Sequence, residues 1–174
     1  LVEAYTGSLL RATFPVGGPV RRRVFLPDDP CVKGAPRFDG VVVYPSLGQT
    51  AIVFESVSKP FIVDALTGLD LDAVDQDLRF VVLDKVRQLS KACSDLHAGT
   101  TRLLPSGKRL VPTHFIPILV TWQGMPVWGP VMRLVDQVCS DEGLFAGLPH
   151  DPIQIVSIEE FERLLELVWC NNLS

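Results

Sequence analysis

Asp39 and Glu55 are the two residues of this 174-residue chain on which an active site would centre. Asp39 lies in Phe38-Asp-Gly-Val-Val-Val-Tyr44, where β-branched residues follow an acid and a glycine. Glu55 lies near the end of Ala51-Ile-Val-Phe-Glu-Ser-Val57. Both runs read as strands, and the turn Pro45-Ser-Leu-Gly48 between them predicts an antiparallel pair. Such a pair can set the two acids side by side at one end of a sheet. Carboxylates a few ångströms apart repel, so one stays protonated or a divalent cation binds between them. Oxygen ligands suit Mg²⁺, which keeps several waters and can activate one for attack on phosphate. The alternative is that both acids are ordinary strand-end residues in water.

The elements around them are also legible. Leu1 to Leu10 reads as the middle of a helix, so the chain is expected to be a piece of a longer polypeptide. Arg21-Arg-Arg-Val-Phe-Leu26 reads as an edge strand, whose arginines either touch phosphates or discourage edge pairing. Leu71 to Ala98 is the clearest helix: Leu71, Val74, Leu78, Val82, Val86, Leu89, Cys93 and Leu96 recur at helical spacing, acids crowd its start and Gly99 ends it. Lys85 falls inside that apolar stripe and must either snorkel or meet a buried acid. Gln88 borders the same face.

Arg102 to Arg109 reads as a loop, whose Lys108 and Arg109 either touch phosphate or are simply solvated. His114 to Thr121 reads as a buried strand, with Pro117 demanding a bulge or a free edge. A helix from Trp128 to Cys139, a strand Ile153–Val156 and a helix Phe161–Val168 follow, the last behind the capping box Ser157-Ile-Glu-Glu160. The order predicts an α/β domain over residues 1–174 with a mixed central sheet flanked by helices and parallel crossovers in its second half.

Composition narrows the classes. With 47% hydrophobic and 21% charged residues the chain is globular, and a net charge of -4 means that any nucleic-acid contact needs a local basic patch. No apolar run reaches the length of a membrane span. Cys31, Cys93, Cys139 and Cys170 lack metal-ligand spacing and read as isolated thiols of a reducing compartment, the cytoplasm. His97, His114 and His150 show no spacing for a metal site. Trp122 and Trp128 read as part of a packed loop.

Glu3 in the opening helix, Asp39-Gly-Val-Val-Val, Ile-Val-Phe-Glu55, then a long helix and a buried strand, is an order that resembles the PD-(D/E)XK nuclease superfamily from Leu1 to about Val120. The resemblance implies a restriction-endonuclease-like core, α-β-β-β-α-β, extended by a C-terminal α-β-α. It implies Mg²⁺ held by Asp39 and Glu55, with Glu3 assisting, and nucleic acid as partner. The family's lysine, two residues after the Glu, is missing: Val57 stands there and cannot stabilise developing negative charge. Lys59, two residues further and of the same strand facing, is one replacement. Lys85 is the other, and together with Gln88 it is similar to helix residues that line nuclease sites in this superfamily. Three functions are therefore in play: an Mg²⁺-dependent nuclease, a catalytically inactive nuclease-fold module that binds nucleic acid or protein, and an interaction domain unrelated to nucleases.

Overall fold

The computed structural model describes residues 2–14, 23–44, 49–58, 78–122 and 129–172. Along these, α1 (Val2–Thr13) leads to β1 (Arg23–Phe25), β2 (Val32–Lys33), β3 (Gly40–Tyr44) and β4 (Thr50–Val57). A π-helical turn, Leu78–Leu83, opens α2 (Asp84–Ala98). Then come β5 (Arg102–Leu103), β6 (His114–Thr121), α3 (Gly129–Asp141), β7 (Gln154–Ser157) and α4 (Ile158–Asn172). Five strands form one mixed sheet in the order β1-β3-β4-β6-β7. β1, β3 and β4 are antiparallel neighbours, and β6 and β7 run parallel to β4. The mixed sheet flanked by helices is as the sequence predicts.

The runs Val41-Val-Val43 and Ala51 to Val57 explain why β3 and β4 lie central. Apart from Glu55 and Ser56 their side chains are apolar on both faces, and both faces are covered. Alternation divides them. Val41, Val43, Val53 and Val57 join Val86, Leu89 and Cys93 of α2 and Val135 of α3 in one core. Val42, Phe54 and Val120 face the other way, into a core with Leu10 of α1 and Phe161 and Leu165 of α4. α1 sits close on that second face because small residues meet it. The hydroxyl of Ser56 donates to that of Thr6 at 3.3 Å, both groups being buried. Gly40 lies under Leu10, and a Cβ there would come 2.6 Å from Leu10 Cδ1. Gly40→Ala is expected to cost about 1–3 kcal/mol by overpacking; a urea midpoint equal to that of the parent chain would refute the close approach.

Several local expectations hold. Gly99 takes a left-handed conformation (φ 79°) at the end of α2, and its amide donates to Asp95 O. The Ser157 amide donates to Glu160 Oε2 at 2.8 Å and the Glu160 amide to Ser157 Oγ at 3.2 Å, a capping box that starts α4 at Ile158 rather than Phe161. Pro117 needs no bulge. The amide of Phe115 donates to Pro149 O and its carbonyl accepts from Asp151 N, so this side of β6 faces β7. Two residues on, Pro117 points its missing donor the same way, in the gap before pairing with β7 begins at Ile118↔Gln154.

Other expectations need correction. Residues 71–77, 21–22, 45–48, Lys59 and Trp128 lie outside the described residues, so the start of the long helix, the outer part of the edge strand and the predicted turn do too. Within the described part, Leu78–Leu83 is π-helical rather than a continuous α-helix; the wider turn lets Val81, Val82 and Leu83 all reach the core. The loop Arg102 to Arg109 contains β5, which pairs with β2 as a second, two-stranded sheet, and a 3₁₀ turn at Pro105–Gly107. Strands of two residues carry no periodicity, so no sequence pattern marks them.

Candidate active site

Asp39 precedes β3 by one residue. Continuing the register Gly40↔Phe54 would set Asp39 opposite Glu55. Its amide donates instead to Phe54 O at 2.9 Å, so pairing slips by one residue at this point. The side chain takes over the lost ladder position: Asp39 Oδ2 accepts from the Ser56 amide at 2.6 Å. That clamp holds the Asp39 carboxylate beside the stretch of β4 that carries Glu55.

Glu55 is 3% exposed. It shares the strand facing of Val53 and Val57, toward α2. There Lys85 Nζ donates to Glu55 Oε1 at 2.6 Å and to Gln88 Oε1 at 3.1 Å. Lys85 therefore does not snorkel; it meets the buried acid, with its side chain 23% exposed. Glu3, in the first turn of α1, is exposed and forms no bond to the pair, yet its charge bears on both Asp39 and Glu55. Lys59 lies outside the described residues. Val57, where the resemblance would place a lysine, is buried in the core under α2.

The electrostatics follow from burial. Desolvation, followed by the charge of Asp39, pushes Glu55 up to about 7, against the opposing pull of Lys85. Burial also raises Asp39, while hydrogen bonds from Ser56 hold it down. Lys85 thus pairs with Glu55 alone, while the charges of Asp39 and, more weakly, Glu3 act against the ionised form of Glu55. An open cleft of about 330 Å³ adjoins them, lined by Pro27, Pro36, Arg37, Phe38, Asp39, Glu55 and Gln88.

The donor set fits a hard divalent cation. Among the described residues, Glu55 Oε2 accepts no hydrogen bond, and Asp39 takes its hydrogen bonds from Ser56 alone. No group of three or more His, Cys, Asp or Glu among the described residues could hold a metal. A cation here would therefore complete its shell with water and substrate oxygens, as Mg²⁺ ordinarily does.

Two participants carry no sequence signal of their own. The Ser56 amide becomes Asp39's anchor only through strand pairing. Arg37 reaches the cleft two residues before Asp39, and that spacing along one extended segment is the single hint of it. The remaining candidates are placed elsewhere. His114 pairs with Asp151, His150 Nδ1 contacts Asp151 O, and His97 stacks edge-on against Phe115. Arg109 packs its guanidinium against Gly99, Lys108 is exposed, and all four cysteines are free. No protein-family model, no curated protein and no solved structure matches the chain, so function is read from this site.

Proposed function

We propose that the chain is a divalent-metal-dependent phosphodiesterase of nuclease type, acting on nucleic acid, with Asp39 and Glu55 as metal ligands and Lys85 as the group that orients the attacking water. The observation that carries this reading is the ion pair of Lys85 with Glu55, made from the helix that follows the Glu-bearing strand. It supplies from α2 the cation that Val57 does not supply from β4. The order α1, antiparallel β1-β3-β4, α2 and then β6 parallel to β4 supports the restriction-endonuclease-like core.

Mg²⁺ bound between the two acids would act as a Lewis acid and lower the pKa of a coordinated water. The chain's own groups do the positioning. Asp39 is held by the Ser56 amide, so its second oxygen has a fixed direction. Lys85 has three donors. Glu55 and Gln88 engage two, and the third is left for a water or a phosphate oxygen.

Cleavage of DNA or RNA by the purified chain is expected with Mg²⁺ or Mn²⁺ and not with EDTA, falling about 10²–10³-fold or more in Glu55→Ala. Cleavage that persists undiminished in Glu55→Ala sinks the assignment. A second reading, an inactive nuclease-fold module, rests on Val57; it predicts no calorimetric Mg²⁺ binding that disappears in Asp39→Ala. No helix among the described residues is long and apolar enough to cross a membrane. The four free thiols support a cytoplasmic site of action.

A further inference from the structure

The second sheet adds Val32 and Leu103 to the core beneath the first, but its charges are unusual. Lys33 of β2 and Arg102 of β5 stand directly opposite each other, both exposed, while their neighbours Val32 and Leu103 are buried beneath. Like charges at such a position repel. Among the described residues neither forms an ion pair. The pair carries this cost without an ion pair of its own, although the chain's net charge is -4.

The cationic surface continues from there. Thr101, next to Arg102, donates its amide to Asp95 O at 3.1 Å. Asp95 is buried and takes Lys91 at 3.0 Å and Arg37 at 3.7 Å, both of which remain more than half exposed. Lys91 and Arg37 therefore bracket one sunken acid, and Thr101, whose hydroxyl also donates to Ala35 O at 3.4 Å, brings the segments that carry Lys33 and Arg102 alongside. Arg37 belongs at the same time to the lining of the cleft beside Asp39 and Glu55. On α2, Lys85, Gln88, Lys91 and Asp95 follow one another at spacings of three or four along one face. From Lys85 to Lys91 the helix rises about 9 Å, at 1.5 Å per residue, the length of roughly two to three nucleotides of one strand.

From this arrangement we infer that the ridge formed by Lys33, Arg37, Lys91 and Arg102 binds the phosphate backbone of a nucleic acid and leads it into the cleft. That the ligand is nucleic acid rests on the phosphodiesterase reading of the adjoining site; the ridge as an anion surface does not. A membrane is the less fitting occupant. The exposed large hydrophobic residues among those described are Tyr5, Phe80, Trp122, Leu164 and Leu167, and none lies on the two-stranded sheet to anchor it in lipid.

The test measures binding without cleavage. Fluorescence anisotropy of labelled single- and double-stranded oligonucleotides, DNA and RNA, is followed against the full chain in EDTA over a range of salt. Lys33→Glu is the informative variant, because it turns the repulsive pair with Arg102 into an attractive one and so does not threaten folding. It is expected to weaken binding about tenfold or more at low salt and to lower the slope of log K against log salt by about two. Arg133→Glu on α3 makes the same change in net charge and is expected to leave both readouts in place. Binding unchanged in Lys33→Glu, or no binding of any oligonucleotide at low salt, overturns the inference. Binding of phosphatidylserine vesicles in place of oligonucleotides overturns it too and assigns the ridge to a membrane. Binding that depends on Lys33 without any cleavage in Mg²⁺ upholds the ridge and removes the nuclease reading.

Discussion

The stability gap between Glu55→Gln and the parent chain is expected to widen in favour of the variant by about 3 kcal/mol between pH 4.5 and pH 7. The sign follows from which state holds the proton. An unfolded chain releases the Glu55 proton near 4.5, whereas the folded one keeps it until about 7, because burial and Asp39 oppose the charge. Between those values the native state binds more protons, so its stability falls as pH rises. Below 4.5 both states are protonated and the gap is constant. Above 7 both are ionised and it is constant again. Glutamine keeps the shape and cannot ionise, which removes the part of the slope that Glu55 contributes. Asp39, raised in the same direction, adds to the slope of the parent chain. Urea midpoints across this range measure the effect, and parallel curves for the two proteins would refute the buried, coupled acid. A divalent cation that joins the pair supplies the missing positive charge. Added Mg²⁺ is therefore expected to stabilise the parent chain at pH 8 and to have little effect at pH 4.5.

Removal of Lys85 carries the second large effect. In the phosphodiesterase reading, Lys85→Ala is expected to lower kcat about 10²–10³-fold, the cost of one preorganised donor at a developing charge. Mg²⁺ affinity should survive, since the ligand oxygens remain. The same substitution leaves Glu55 buried beside Asp39 without its cation. Its titration then moves higher still, and the protein loses stability above pH 7 more than below it. Gln88→Ala removes only the second contact of the ammonium and is expected to have a smaller effect on kcat. Single-turnover kinetics separate the chemical step from binding. Full activity in Lys85→Ala would show that the helix lysine only neutralises Glu55, leaving the water to another group.

Local physics made much of the fold legible in the sequence. The β-branched runs before Tyr44 and around Glu55, with a turn between them, marked β3 and β4 as an antiparallel pair. Ser157 with Glu160, and Gly99, marked helix ends because orphan amides and carbonyls are satisfied within a few residues. Asp39 and Glu55 could be set together because a short antiparallel connection constrains which residues meet. All of these are determined by neighbours in the chain.

What the sequence could not reach are contacts made between distant segments. The pairing of Val32 with Leu103 joins residues 71 positions apart in the chain and rests on two-residue strands with no period to read. The slip at Asp39, which hands its carboxylate to the Ser56 amide, depends on how two strands finish against each other. Lys85 is the sharpest case. Its place in an apolar stripe said only that it needed an acid or a path to water. Packing of α2 across β4, after a π-helical turn that shifts the helix phase, chose Glu55. By itself, then, the sequence set Asp39 and Glu55 on two neighbouring strands that can bring them together and put Lys85 on an apolar helix face. Only the tertiary structure decided that the three meet, because a side chain's partner across elements is set by the packing of whole faces.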